Sequence, residues 1–182
     1  KQKEVEGDVL ISTVLFDDRS EILHDRKPIQ NIKPMTAKDY YVRGCTALLD
    51  AIGGAIHHIG NVHKYARKED RPIKTLFVII TDGFENSSKR YTYQKVKSMI
   101  ERQQKRYGWE FIFLGANIDA IAEAKRFGIR EEMAVEYICD EVGTALNYEA
   151  VSEVVSNLRA SRPYCADWKK NIEEDYASRS SR

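Results

Sequence analysis

Thr75-Leu76-Phe77-Val78-Ile79-Ile80-Thr81-Asp82-Gly83 is the stretch on which the fold turns. Leu76 to Ile80 form an unbroken apolar run of strand length, as a strand covered on both faces requires, and Thr-Asp-Gly ends it with turn chemistry. Working outward, Leu48, Leu49, Ile52, Ala55, Ile56 and Ile59 recur at three- and four-residue spacing, which predicts an amphipathic helix starting near Thr46 and running towards Ala66. On the other side, Tyr93, Val96, Met99 and Ile100 share one face of a helix from about Thr92 to Arg106, with Gly108 as its stop. Further out lie apolar runs at Val9 to Phe16 and Trp109 to Leu114, and a short helix around Ile118 to Phe127 closed by Gly128. An edge-like strand at Ala134 to Tyr137 and a helix from Thr144 to Leu158 complete the pattern. Asp17-Asp18-Arg19-Ser20 reads as a turn and Glu21 to His24 as a short return strand, so Val9 to Phe16 should open a hairpin. Asp25 to Gly44, with Pro28 and Pro34, is expected to be a long surface connection. Apolar strands alternating with amphipathic helices specify an α/β fold: a doubly wound, mainly parallel sheet of the Rossmann-like kind with helices on both faces and one antiparallel edge strand.

At 182 residues and 42% apolar composition the chain is long enough for one domain with a real core. Its expected extent is 1–159, with 160–182 a polar C-terminal tail. The 29 basic and 28 acidic side chains are interspersed and leave a net charge of +1. No basic face is offered to a nucleic acid or an anionic membrane, so proteins are the expected partners. No apolar run approaches the roughly 20 residues a bilayer crossing needs, and no secretory leader opens the chain; a cytoplasmic location is expected. Cys45, Cys139 and Cys165 lie far apart with neither CxxC spacing nor a histidine pair. Cys45 and Cys139 are expected to be small buried hydrophobes, and Cys165 to sit near a loose terminus.

In a parallel sheet, ligands gather beyond the carboxyl ends of the strands. That directs attention to the loops 43–46, 81–86 and 115–119. Asp82, followed by Glu85 and Asn86, places a carboxylate at this rim; its simplest role is to order the turn or cap the next segment. Thr46 serves equally well as a helix N-cap. Asn117 and Asp119 read as caps of the short helix. His57, His58 and His63 lack HExxH spacing and read as a solvated helix face. The runs KYARKEDR and ERQQKR read as solvent-facing helix surface with local charge pairing. Tyr40, Tyr41, Tyr91 and Tyr93 either rim the ligand face or pack under the long connection. No nucleophile and base are paired as an activated Ser or Cys site demands, so the chain is not expected to be an enzyme.

Gly44-Cys45-Thr46-Ala47-Leu48-Leu49-Asp50-Ala51-Ile52 and Phe77-Val78-Ile79-Ile80-Thr81-Asp82-Gly83 together resemble the von Willebrand factor A (vWA) family, of the bacterial cytosolic type. The likeness runs from the opening residues to about Tyr137. In that family a threonine at a helix start and an aspartate after a later strand join an Asp-x-Ser-x-Ser motif to hold one divalent cation, the metal-ion-dependent adhesion site. The resemblance implies Thr46 and Asp82 as metal ligands, magnesium or manganese as the cation, and a protein partner whose exposed acidic residue completes the shell. It also implies strand order 3-2-1-4-5-6, with the first strand between Val9–Phe16 and Thr75–Ile80. No such strand and no Asp-x-Ser-x-Ser occur in this sequence. The chain is therefore expected to be N-terminally truncated, with its central first strand missing, and to bind magnesium weakly or not at all, because one hydroxyl and one carboxylate are a poor shell for a cation that demands near-octahedral oxygen. The flanking strands should then pair directly or recruit another chain. Two alternatives stand beside this reading. One is a magnesium-dependent phosphatase resembling the haloacid dehalogenase family, which wants a set lysine and paired acidic residues where this chain has Asp82 alone with Glu85 further on. The other is a structural vWA-like domain with a non-functional metal site.

Overall fold

The computed structural model describes residues 2–36, 38, 44–162 and 167–180. Tyr40, Tyr41, Arg43 and Cys165, singled out above, lie outside the described residues. Among those described, the chain is α/β: a hairpin of β1 (Leu10–Phe16) and β2 (Ser20–Pro28), a parallel sheet of β3 (Leu76–Thr81), β4 (Glu110–Gly115) and β5 (Ala134–Glu136), and the helices α1 (Leu48–Tyr65), α2 (Tyr93–Tyr107), α3 (Ala120–Arg126), α4 (Glu141–Arg159) and α5 (Lys170–Ser180). β4 is the middle strand of the parallel sheet, in register Leu76 with Glu110 through Thr81 with Gly115 on one side, and Phe113 with Ala134 on the other.

The core sits around β4. Phe111, Ile112, Phe113 and Leu114 are all buried, and because successive strand side chains face opposite sides, both faces of the sheet are covered there. Each such side chain contributes about 1.5–3 kcal/mol of burial. Leu48, Ile52 and Ile56 of α1, Val96 and Ile100 of α2, and Ala124 with Phe127 after α3 supply the opposing surfaces. The helix ends obey local chemistry: Thr92 accepts a hydrogen bond from Lys95 N and Asp119 from Ala122 N, while Gly108 closes α2 in the left-handed region at φ 65°.

Several expectations need correction. The run Val9 to Phe16 reads as buried on both faces, yet β1 is only half-buried, with Leu10 exposed, because among the described residues no second sheet layer or helix covers it as fully as β4 is covered. β1 and β3 do not pair with each other among the described residues; they belong to separate sheets. β2 runs on to Pro28, so the long connection begins later than expected. Cys45 and Cys139 are exposed rather than buried, since both stand in loops before helices instead of on core-facing positions. His63 is not on a solvated face: its ring meets Trp109 edge-on at 5.3 Å, and burial pushes its pKa down. Of the run KYARKEDR, only Lys64 and Tyr65 are in α1; Lys68–Asp70 form a separate 3-10 turn in which Arg67 pairs with Asp70.

The stretch read as a polar tail carries α5 and two buried anchors, Trp168 and Ile172. Trp168 donates its indole N–H to Glu132 O, and the Lys169 ammonium donates to Glu131 O and to Ala134 O on the outer side of β5. At the far end of α5, Arg179 pairs with Asp140 and Asp175. At the other extremity the Arg159 guanidinium donates to the carbonyls of Gln2, Val5, Glu6 and Gly7, fixing the opening segment against α4. No helix among the described residues is long and apolar enough to cross a membrane.

Candidate functional site

β1 and β3 deliver their carboxyl ends to one place, the start of α1. Asp17 O, just past β1, accepts a hydrogen bond from Ala47 N at 2.6 Å. Asn86, in the loop after β3, is bonded to Thr46 twice: its Oδ1 accepts from Thr46 N at 2.9 Å, and its N–H donates to Thr46 O at 3.0 Å. The Thr46 hydroxyl consequently faces the Thr-Asp-Gly turn, 3.7 Å from where a Cβ on Gly83 would stand. Thr46 and Asp82 are thus at the same rim, on neighbouring loops.

The rest of the loop from Glu85 to Tyr91 is bonded to α1 by two carboxylates. Glu85 Oε2 accepts from Leu49 N at 2.8 Å and from the Ser88 hydroxyl at 2.7 Å, while its Oε1 accepts from Ser87 N and Ser88 N. Asp50 returns the arrangement, its carboxylate accepting from Lys89 N, Arg90 N and Tyr91 N, each at 2.9 Å. Burial alone would push both carboxyls up. The backbone donors outweigh it, led by Leu49 and Ser88 for Glu85 and by Lys89, Arg90 and Tyr91 for Asp50, and hold both pKa values below the ordinary carboxylate range.

This explains why the expected N-cap role of Thr46 fails. The N-cap position of α1 is Ala47, which offers no side-chain acceptor, and the orphan N–H of Leu49 is satisfied by Glu85 from another loop. Among the described residues the Thr46 hydroxyl has no hydrogen-bond partner, and neither does the exposed Asp82 carboxylate. The turn that Asp82 was read as ordering is instead closed by Thr81, whose hydroxyl donates to Gly83 O at 3.0 Å. Asn117 is not a cap either: held at φ 57°, it donates its amide to Asp82 O at 3.3 Å and so steadies the aspartate loop from the β4–α3 side. Asp119 is the cap of α3, as expected.

Neither described tyrosine forms a rim. Tyr91 lays its ring over Gly53 of α1, and Tyr93 packs on Phe127 and donates to Glu123 at 2.5 Å, with Arg126 stacked over its ring. Burial and Glu123 push the Tyr93 hydroxyl pKa up, so it stays a donor. Cavities of about 300 Å³ beside Val5 and Trp168 and about 540 Å³ beside Trp109 and Met133 are lined by neither Thr46, which is half-buried, nor Asp82, which is exposed.

Sequence reasoning named Glu85 and Asn86 without their roles and passed over Asp50 and Ser88. The cluster Glu85-Asn86-Ser87-Ser88, one residue after Thr81-Asp82-Gly83, is a signal of a side-chain-bonded loop. Asp50 carries none, because its partners lie about 40 positions away in the chain.

Thr46 and Asp82 offer two hard oxygens on adjoining loops, neither hydrogen-bonded among the described residues, which is the donor type a divalent cation takes. Glu85 and Asp50 are fully occupied by backbone donors, and no group of three or more His, Cys, Asp or Glu side chains suited to a metal occurs among the described residues. Compared with protein-family models, with curated proteins and with solved structures, the chain matches none.

Proposed function

We propose that this chain is a protein-binding module of the vWA type, in which Thr46 and Asp82 hold a magnesium or manganese ion that an acidic side chain of a partner protein completes. The observation that carries it is the approach of an unengaged hydroxyl and an unengaged carboxylate on neighbouring loops at the carboxyl ends of β1 and β3, beside the carboxylate of Glu85, which is spent on the loop's own structure. The layout belongs with a Rossmann-like doubly wound sheet in which β1 and β3 flank the position of a central first strand. When bound, the cation supplies a Lewis-acidic bridge to the partner. The chain's own part is to keep two oxygens fixed and free, which Asn86, Asn117 and Glu85 do by bonding the surrounding backbone.

That Asp82 is the single carboxylate of the site, with no group of three or more His, Cys, Asp or Glu suited to a metal among the described residues, favours one second reading, a structural domain whose cation site does not fill. Paramagnetic broadening by manganese separates the two. Millimolar Mn²⁺ should broaden amide signals at 45–47 and 82–84 in the intact chain and leave them sharp in Asp82→Ala. Sharp signals in both would leave only the structural reading. If Mn²⁺ broadens the rim, capture of a partner should be abolished by EDTA.

A further inference from the structure

At the amino end of the parallel sheet, opposite the rim that carries Thr46 and Asp82, lies the cavity of about 540 Å³. The shortness of β5 opens it. β5 pairs with β4 only from Phe113 onward, so among the described residues Glu110, Phe111 and Ile112 have no strand on that side. The last turns of α2 and the 3-10 turn Glu131–Met133 stand around the gap instead. Its volume is that of a small-molecule site, which runs from about 300 to 1,000 Å³. Trp109, Phe111 and Met133, all buried, give it an apolar floor.

Four charged side chains also line the cavity, two of each sign. Two of them are already paired, Glu101 with Lys97 at 3.8 Å and Arg130 with Glu132 at 3.5 Å. The other two are not. The Lys105 ammonium has neither a hydrogen bond nor an ion pair among the described residues. Glu110 approaches Lys74 through Oε1 only at 3.9 Å, and its Oε2 is buried with no hydrogen-bond partner. A buried carboxylate oxygen without a donor is a cost that folded proteins seldom carry unanswered. Burial also pushes the Glu110 pKa up, against the pull of Lys74 and Arg130, as expected of a charge whose hydration has been removed and not replaced.

We infer that this cavity binds a free amino acid with a large apolar side chain, its ammonium donating to Glu110, its carboxylate accepting from Lys105, and its side chain lying on Trp109, Phe111 and Met133. Simpler guests leave something unmet. An uncharged apolar molecule brings Glu110 no donor. A plain amine adds a cation beside Lys105 and Arg130, and a plain carboxylate adds an anion beside Glu101 and Glu110. Presenting the orphan oxygen of Glu110 takes only a rotation about its last torsion, which is broad and two-fold. The site shares no residue with the proposed cation site and does not depend on it.

The probe is L-phenylalanine, with phenethylamine and 3-phenylpropanoate as the analogues that keep one charge each. They are added to the full chain in EDTA and followed by the NMR signals of the Trp109 indole N–H and of the Phe111 and Met133 amides. L-Phenylalanine should shift these signals saturably and leave the amides of 82–84 unmoved, and each analogue should bind about tenfold more weakly, having lost one charge-assisted bond. Lys105→Met should weaken L-phenylalanine about tenfold without weakening phenethylamine. Glu110→Gln should weaken it as much without weakening 3-phenylpropanoate. No saturable shift, analogues that bind as tightly as L-phenylalanine, or variants that weaken all three ligands alike would each overturn the site. Because EDTA is present throughout, loss of this result leaves the manganese test standing, and the converse holds.

Discussion

Asp82 and Glu85 are carboxylates on one loop, and they live under opposite conditions. Glu85 is bonded on both oxygens to Leu49, Ser87 and Ser88; Asp82 stands exposed with its side chain unengaged among the described residues. The contrast separates a half of the loop that makes structure from a half that is left available. A carboxylate with its lone pairs spent on backbone N–H groups has no capacity left for a cation or a partner, so the engaged neighbour is what keeps the free one in place.

The sharpest way to break this comparison is Glu85→Ala. It strips acceptors from the first turn of α1 and from two loop amides, and should cost about 2–4 kcal/mol in denaturant unfolding, given that hydrogen bonds to a charged group are worth about 1.5–3 kcal/mol each and part of the loss is recovered by water. The same bonds set the acid response. Glu85 and Asp50 have folded pKa values below their unfolded ones, so their stabilisation is fully present above the unfolded values near pH ~4 and is lost as pH falls through the folded values. Acid unfolding of Glu85→Gln should accordingly show a shallower dependence on pH below about 4 than that of the parent chain.

Smaller, and decided by packing, is Gly53→Ala. In an ordinary helix the change would stabilise by about 1 kcal/mol. Here the new Cβ would stand 2.5–2.7 Å from the Tyr91 ring at its base, and overpacking should reverse the sign to a net loss of about 1–2 kcal/mol by thermal unfolding. Asp82→Ala completes the series at the bottom: stability within about 0.5 kcal/mol of the parent, because no bond is removed. A loss of 2 kcal/mol there would mean that Asp82 is structural like Glu85, and the distinction between the two ends of the loop would collapse.

Element positions were legible because they follow from local rules. The apolar runs put β3 and β4 within one residue of their observed starts, and Thr92, Gly108, Asp119 and Gly128 marked helix ends by chemistry that acts within a turn. What escaped was supplied from far along the chain. Glu85 caps a helix 36 residues upstream, so Thr46 looked like the cap, and Asn117 reaches back 35 residues to Asp82, so it looked like a helix start. Apolar composition overstated the burial of β1 for a related reason: a run of β-branched residues reports what a strand can be covered by, not what covers it. In the segment after Ala160, sparse apolar residues hid two anchors, since Trp168 and Ile172 dock without any helical stripe to announce them.

The guarding of β5 has a consequence for assembly. Lys169 and Trp168 occupy carbonyls on and beside that outer strand, so the parallel sheet cannot be extended there. At the opposite extremity β2 is blunted by its charged side chains, by Arg26 at φ 47° and by Pro28. Fibre growth by edge pairing needs a bare, uncharged ladder on an outer strand, and among the described residues neither β2 nor β5 offers one.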